Sequence, residues 1–300
     1  MLVIWLFGDL VIWLFGYSVI WLLWVDVADL CALNMDSITH FRRQLGRIFY
    51  TWKRRAKWVF GKTKFAYQHE EPLQVLVFQH ATPLIRSLKD VEMYLQYNKV
   101  TNLRLAAAKI NGLLILPGET FSFWKMVGAP SARKGYLEGL VLERGKVKKG
   151  IGGGLCQMGN LIYWMALHSP LTVAERWRHS YDVFPDEGRV LPFGAGATLA
   201  YNYIDLQLRN DTAQAFQLRV WTSETHLNGE IRSSLSLSER YEVIEKEHLI
   251  RHEAHGGYSR HNRIARLVFS VVDDELLRED LITENHAMMM YQPFLEGNLR

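Results

Sequence analysis

The chain has 300 residues, of which 49% are hydrophobic and 12% aromatic, which is enough for a sizeable core in one large domain or two small ones. Its formal net charge of +4 is too small to indicate a nucleic-acid partner. The cysteines Cys31 and Cys156 do not support a disulfide framework, and Cys156 is expected to be a free thiol.

The N-terminal segment 1–34 carries a hydrophobic eight-residue repeat over residues 3–26. Its apolar stretch 2–24 approaches the roughly 20 residues that span a bilayer, although Asp9 interrupts it. The alternative is repetitive DNA read through from an upstream start codon, in which case Met35 is the first residue. Because a basic n-region and a small-residue cleavage site are missing, we expect the protein in the cytoplasm or at the cytoplasmic face of the membrane.

Residues 35–69 have the pattern of a basic amphipathic helix. Apolar side chains, among them Phe41, Leu45, Ile48 and Trp52, recur at helical spacing between arginines and lysines. Such a helix packs on a folded domain with its charged face in solvent, or it lies on an anionic membrane surface. The sequence leaves both interpretations open.

From residue 70 to residue 300, short apolar runs alternate with turn signals. This pattern predicts one α+β domain with mainly antiparallel strands and a few helices. A strand is expected at 74–78, and a buried helix is expected at 100–116, where Pro117 and Gly118 end it. After a loop at 121–124, the next expected element is a hairpin of strands 136–142 and 146–151 that turns at Arg144 and Gly145.

The second predicted helix covers residues 155–168. Leu155, Met158, Ile162 and Met165 form one apolar stripe along it, and the Ser169-Pro170 pair ends it. Further strands are expected at 171–178, 197–209, 216–221, 230–237, 265–272 and 281–291. Because no Pro-rich or Ser-rich linker divides this region, we predict a single domain.

The strongest candidate for chemistry is the loop Gly152-Gly153-Gly154-Leu155-Cys156-Gln157, which precedes the second helix. Consecutive glycines adopt positive φ and bring backbone N–H groups towards an anion. A thiol in the first turn of a helix is expected to have a lowered pKa, and the same N–H groups would stabilise an oxyanion in acyl transfer. The alternative is an inert buried cysteine beside a tight turn.

Chain geometry offers His179 as a base for Cys156. A helix of about 14 residues rises roughly 20 Å, and a strand returning from residue 171 to 179 covers roughly 26 Å, so His179 would lie near the start of the helix. Strand alternation puts His179 on the same inward face as Leu171 and Val173. Its orienting partner is Asp182, Asp205 or a backbone carbonyl, and the sequence does not choose among them.

No metal or cofactor is predicted. One cysteine with scattered histidines lacks the paired spacing of zinc ligands, and His252, His255 and His261 are expected at the surface. The P-loop and dinucleotide-binding signatures are also missing from the sequence.

Several motifs together resemble the VanW family. They are residues 117–124, Gly135-Tyr136, 152–157, Glu175-Arg176 and His179-Ser180, and the similarity runs from Tyr97 to Thr212. The resemblance implies a bacterial cell-envelope protein connected with vancomycin resistance, with peptidoglycan or its precursors as partner. It also implies a cysteine-dependent L,D-transpeptidase, in which Cys156 accepts the acyl group and His179 is the base.

On this hypothesis further residues bind the substrate or the oxyanion: Gly152, Gly153, Gly154, Gln157, Arg176, Arg178 and Ser180. Arg189 is another candidate for holding a substrate carboxylate. One departure weakens it, because Gly196 stands where many relatives carry an acidic residue. The competing hypothesis is a non-catalytic module that binds a cell-wall precursor or a partner protein at the membrane face. A lowered Cys156 pKa favours the enzyme, and a normal or raised one favours the binding module.

Overall fold

The computed structural model describes residues 35–85, 92–143, 146–179, 181–183, 191–254 and 256–293. The chain divides into two compact units, Met1–Lys53 and Arg54–Arg300. The repeat at 1–34 and its membrane-spanning alternative lie outside the described residues. The domain boundary expected near residue 70 stays a prediction.

The helices are α1 (Met35–Phe60), α2 (Met93–Ile110), α3 (Phe123–Val127) and α4 (Cys156–Leu167), within the described residues. The strands follow in chain order: β1 (Lys64–Phe65), β2 (Val75–Pro83), β3 (Leu113–Ile115), β4 (Glu119–Ser122), β5 (Glu138–Glu143), β6 (Lys146–Ile151), β7 (Thr172–Glu175), β8 (Tyr181–Asp182), β9 (Gln207–Arg209), β10 (Phe216–Thr222), β11 (His226–Ser233), β12 (Glu239–His252), β13 (Tyr258–Ser270) and β14 (Leu276–Met289). The predicted α+β class is confirmed.

Helix α1 is amphipathic, yet its apolar stripe is exposed. Phe41, Leu45, Ile48 and Trp52 each keep 50 to 63% of their surface in contact with solvent. Both interpretations of the segment stay predictions. Among the described residues, no helix combines the length and the apolar character needed to cross a bilayer.

The described strands form three four-stranded sheets and a hairpin. The sheet orders are β1-β4-β9-β7, β2-β11-β10-β3 and β12-β13-β14-β8, and β5 pairs with β6 as predicted. Most pairs are antiparallel, whereas β1 with β4 and β14 with β8 are parallel. The turn of the β5–β6 hairpin, at Arg144 and Gly145, lies outside the described residues.

Helix α4 packs on the second sheet and forms the centre of the core. Its predicted stripe, Leu155, Met158, Ile162 and Met165, is buried. The helix comes close to β11 at Gly229, where an added Cβ would lie 2.6 Å from Met165 Cε. Because Gly229 has no side chain, the helix that begins at Cys156 packs closely against β11.

Two predictions for the segment before the hairpin are wrong. The helix expected at 100–116 ends at Ile110, because Gly112 turns the chain with φ +83° and the side chain of Asn111 accepts a hydrogen bond from Val220 N. Residues after this turn form β3. The loop expected at 121–124 consists instead of β4 and α3, and Ser122 Oγ caps α3 by accepting from Lys125 N.

In the C-terminal half one prediction fails and one strand was not predicted. The strand expected at 197–209 is present only as β9, because residues 197–206 form turns and irregular backbone. Strand β12 was not predicted, since charged side chains interrupt its apolar alternation. It forms because β13 pairs along it, from Glu239 opposite Ser270 to His252 opposite Tyr258.

Candidate active site around Cys156

The glycine loop, residues 152–154, requires glycine at each position. Gly152 and Gly154 have φ values of +78° and +92°, which side-chain-bearing residues rarely adopt. Gly153 is needed for space, because an added Cβ would lie 2.1 Å from the carbonyl carbon of Gly139 in β5. The loop is therefore held against the β5–β6 hairpin by direct backbone contact.

The N–H groups of the glycine loop are all engaged in backbone hydrogen bonds. Gly152 N donates to Leu137 O at 2.9 Å, Gly153 N to Gly150 O at 3.1 Å and Gly154 N to Leu140 O at 2.9 Å. These backbone partners give no support to the predicted binding of an anion by the three N–H groups, which stays a prediction. They fix the loop to the hairpin instead.

Cys156 is the first residue of α4, one residue after the predicted start at Leu155, so the thiol lies in the first turn as predicted. Its Sγ donates to Leu199 O at 3.8 Å, and the residue is partly exposed. Burial of the sulfur raises the pKa of the thiol, and this effect is larger than the opposing effect of backbone hydrogen bonds at Leu199 and Cys156. The direction is opposite to the lowered pKa expected for a thiol at a helix start, because burial disfavours the thiolate.

A cavity of about 340 Å³ opens in front of Cys156, at the lower end of the size range of small-molecule sites. One side is the apolar surface of the hairpin, with Leu140, Val141 and Val147. Residues 191–196 form another part of the lining, which we call the far wall. Much of the cavity lining is therefore apolar, and Cys156 belongs to it.

His179 lines the same cavity as Cys156, as predicted. It reaches the cavity by a different path, since β7 ends at Glu175 and residues 176–179 have no regular structure. A register shift between Val173 and Glu175 ends the expected alternation. Burial and the charge of Arg176 lower the pKa of His179, so the imidazole is neutral at neutral pH and able to accept a proton.

Arg176 supports the far wall. Its Nε donates to Gly196 O at 2.9 Å, another guanidinium nitrogen donates to Gly194 O, and the guanidinium lies 4.7 Å from the centre of the Tyr163 ring. These contacts use the guanidinium for structure, so the structure gives no support to the predicted contact with a substrate carboxylate. The positive charge of Arg176 still contributes to the lowered pKa of His179.

Arg178 and Gln157 line the cavity and are also tied to neighbouring elements. Arg178 donates to His286 O at 2.9 Å, and Gln157 Nε2 donates to Thr82 Oγ1 and Pro83 O at 3.0 and 2.8 Å. Gln157 thereby joins α4 to the end of β2. Ser180 and Arg189 lie outside the described residues.

The two candidates for orienting His179 differ in position. Asp205 does not line the cavity among the described residues; its carboxylate accepts from Ser122 Oγ, Trp124 N and Gln207 Nε2. Asp182 does line the cavity, but its Oδ2 accepts from Arg260 and from Tyr291. Asp182 is thus the candidate that shares the cavity with His179, and it belongs to a buried ion pair.

The far wall is held by side chains that sequence reasoning did not single out. Asn262 Nδ2 donates to Phe193 O at 2.8 Å, and Asn285 Nδ2 donates to Asn262 Oδ1 at 2.9 Å. Both asparagines lie on the C-terminal sheet and are buried. Neither belongs to a local motif, so only the strand pairing of β13 with β14 brings them to the cavity.

Gly196 in the far wall faces Asn160 of α4. Asn160 Oδ1 accepts from Ala197 N at 2.8 Å, and a Cβ at residue 196 would lie 2.8 Å from the same oxygen. The amide of Asn160 therefore occupies the space that a side chain at 196 would need.

In the part of the chain that the structure describes, no group of three His, Cys, Asp or Glu side chains is arranged to hold a metal ion.

The site defines an α+β protein with a cysteine at the start of a helix, three glycines before it and a histidine across one cavity. The sequence model described as "VanW like protein" matches residues 98–232. The chain is 33% identical over 222 residues to the Vancomycin B-type resistance protein VanW of Enterococcus faecalis, which covers 74% of this chain and 80% of that protein. The chain belongs to the VanW family, as its motifs predicted.

A second relative is the uncharacterised protein YoaR of Bacillus subtilis. It is 29% identical over 118 residues, which is 39% of this chain and 37% of that protein. No solved structure shows a significant match to the chain.

Proposed function

We propose that this protein is a cysteine-dependent acyl transferase of the L,D-transpeptidase type, which acts on peptidoglycan stem peptides and contributes to glycopeptide resistance. The observation that carries the proposal is that Cys156 and His179 line one cavity. The family adds the substrate class, because a relative is named for vancomycin resistance. Thiol and imidazole are the two groups that nucleophilic acyl transfer requires.

The first chemical step forms a thioester. Because burial raises the pKa of Cys156, the thiol is protonated before the reaction, and neutral His179 takes its proton as Sγ bonds to the peptide carbonyl carbon. Collapse of the tetrahedral intermediate breaks the C–N bond, and the proton on His179 moves to the leaving amine. The backbone N–H of Cys156 is the candidate oxyanion donor, since the N–H groups of the glycine loop are engaged.

The second step releases the enzyme. An acceptor amine or water attacks the thioester carbon and gives a proton to His179, and the C–S bond breaks. The thiolate regains the proton from His179, so both residues return to their starting state. Apolar side chains of the hairpin limit the access of water to the intermediate.

The test is the detection of this thioester. The full chain, in a Cys31→Ser background that leaves one thiol, is incubated with purified muropeptides, and its intact mass is measured. We expect an adduct of one acyl group on the chain, which hydroxylamine removes. The adduct should be lost in Cys156→Ala and much reduced in His179→Gln.

His168→Gln is a matched control for the His179 variant. Burial also lowers the pKa of His168, but this imidazole stacks on Phe78 at 3.9 Å and does not belong to the described lining of the cavity. It should leave adduct formation intact. Absence of an adduct, together with unchanged turnover in Cys156→Ala, contradicts the proposed transferase.

A specific observation favours a second candidate, a non-catalytic module that binds a cell-wall precursor at the membrane face. The raised pKa of Cys156 suits a packing residue, and the exposed apolar stripe of α1 suits an anionic membrane surface. If this candidate is right, muropeptides bind equally well to the Cys156→Ala variant and no thioester forms.

Vesicle flotation tests the membrane part of the second candidate. The full chain should float with anionic vesicles more than with neutral ones, and salt should weaken this binding. The double variant Phe41→Ser/Ile48→Ser should reduce flotation. Val272→Ser, which replaces a side chain that is 92% exposed in the turn between β13 and β14, should not. Equal flotation of all variants contradicts a role for α1.

A further inference from the structure

The first turn of α2 places a buried, unsatisfied hydrogen-bond acceptor at the cavity. Gln96 is 3% exposed and lines the cavity that contains Cys156. Its Oε1 has no hydrogen-bond partner among the described residues. A buried carbonyl oxygen without a donor is costly in a folded protein, and such atoms are rare.

The position of Gln96 on α2 connects it to the glycine loop. Gln96, Lys99 and Asn102 are spaced by three residues, so they follow one side of the helix. Asn102 Nδ2 donates to Gly153 O at 2.9 Å, and a Cβ at Gly154 would collide with the side chain of Lys99. The same side of α2 therefore contacts the loop next to Cys156, and Gln96 lies at its cavity end.

A comparison with Gln217 shows what a structural glutamine looks like in this protein. Gln217 is also fully buried, yet its Oε1 accepts from Leu73 N at 3.0 Å and its Nε2 donates to Glu70 O at 2.9 Å. The fold satisfies both ends of that side chain. At Gln96 the oxygen is unsatisfied and the residue borders a cavity, so a small rotation of the side chain would let a ligand in the cavity supply the missing donor.

We propose that Gln96 is a substrate-recognition residue, whose Oε1 accepts a hydrogen bond from an amide N–H of a peptide bound in the cavity. This inference rests on the proposed function for its ligand class, a peptide, but does not depend on the chemistry at Cys156. A site built to pair with an N–H discriminates against a ligand that lacks it, because the buried oxygen is then left without a donor.

The test uses binding without catalysis. In full-length Cys156→Ala protein, calorimetry compares a synthetic stem pentapeptide with depsipeptide analogues that carry an ester oxygen in place of one amide N–H, one analogue for each position. We expect one analogue to bind about tenfold or more weakly than the parent peptide. Gln96→Leu should abolish that preference, whereas Gln96→Glu, which keeps an acceptor, should retain it.

The melting temperature gives a second readout. Loss of a recognition residue should raise Tm, whereas loss of a structural residue should lower it. Without ligand, Gln96→Leu should raise Tm by about 2 to 4 °C, because it removes an unsatisfied buried oxygen. The control Gln217→Leu should lower Tm, since it leaves Leu73 N and Glu70 O without their partners.

The outcomes separate the inference from the proposed function. Peptide binding with equal affinity for all esters, or an amide preference that persists in Gln96→Leu, overturns the role of Gln96. A lowered Tm in Gln96→Leu, as in Gln217→Leu, also overturns it. Amide-selective binding without a thioester in the Cys156 protein overturns the transferase and leaves the inference standing. No binding of any stem peptide overturns both.

Discussion

The two sides of the cavity are built by different means. The glycine loop is fixed by backbone contacts between neighbours in sequence, since Gly153 lies against Gly139 and the loop N–H groups donate to carbonyls of residues 137–150. The far wall is fixed by side chains from distant strands. Asn262 donates to Phe193 O, and Asn262 in turn accepts from Asn285.

This difference shows where the site is vulnerable. In the glycine loop, a single added methyl group is enough to separate backbone segments. Behind the far wall, stability depends on polar side chains whose loss leaves other buried groups unpaired. Substitutions on the two sides should therefore fail for different physical reasons.

Arg260→Met should have the largest effect on stability. Arg260 pairs with Asp182, which lines the cavity, and both side chains are 4% exposed. Removing one partner of such a pair costs about 3 to 5 kcal/mol, measured by urea unfolding.

Arg263→Met on the same strand is the control for Arg260→Met. Arg263 is 47% exposed and pairs with Glu247 and Glu284 at the surface, so its loss should cost less than about 1 kcal/mol. Similar losses in the two variants would show that the pair with Asp182 does not stabilise the far wall.

Gly153→Ala should have the next largest effect. Its methyl group would lie 2.1 Å from the Gly139 carbonyl carbon, so the loop and β5 must separate, at a cost of about 1 to 3 kcal/mol. Alkylation of Cys156 should become faster, because the loop no longer shields the sulfur. In contrast Gly118→Ala, with φ +76° and no atom within 4 Å of its added Cβ, tests backbone strain alone and should leave alkylation unchanged.

The pH dependence of Cys156 alkylation tests the electrostatics of the glycine loop. Because burial raises the pKa of the thiol, the folded Cys31→Ser protein should react with iodoacetamide more slowly at neutral pH than the same chain in denaturant. Its rate should continue to rise at alkaline pH after the rate of the unfolded chain has levelled off. A faster reaction of the folded protein would mean that the helix dipole controls the thiol.

Arg176→Gln should give the smallest effect, a shift in the titration of His179. The positive charge of Arg176 contributes to the lowered pKa of His179, so its removal favours the imidazolium and should move the pKa upwards. An NMR titration of the imidazole protons measures this shift. An unchanged pKa would show that burial alone accounts for it.

The glycine loop could be predicted from sequence, and the far wall could not. Gly152 to Gln157 form one local motif, and the apolar stripe of α4 fixed the helix that follows. His179 was found because the helix and the strand after it have simple lengths, although β7 ends early. Gln96, Asn160, Asn262 and Asn285 gave no signal, because an isolated amide in a sequence does not show which distant backbone it meets.

Contacts between distant residues also determine elements that the local pattern does not predict. Charged side chains such as Glu245 and Lys246 interrupt the apolar alternation of β12, so its strand character comes from pairing with β13. The helix expected through Leu116 ended early because Asn111 is held by Val220 N, a contact between residues far apart in sequence.

The contact between Gly196 and Asn160 has a consequence for the evolution of the family. Since a Cβ at residue 196 would lie 2.8 Å from Asn160 Oδ1, a side chain at this position is accommodated only if the Asn160 amide turns away. That movement removes the acceptor of Ala197 N, so the cost of a side chain at 196 is a lost hydrogen bond between α4 and the far wall. A family member with a side chain at this position should regain that cost when the residue matching Asn160 is smaller.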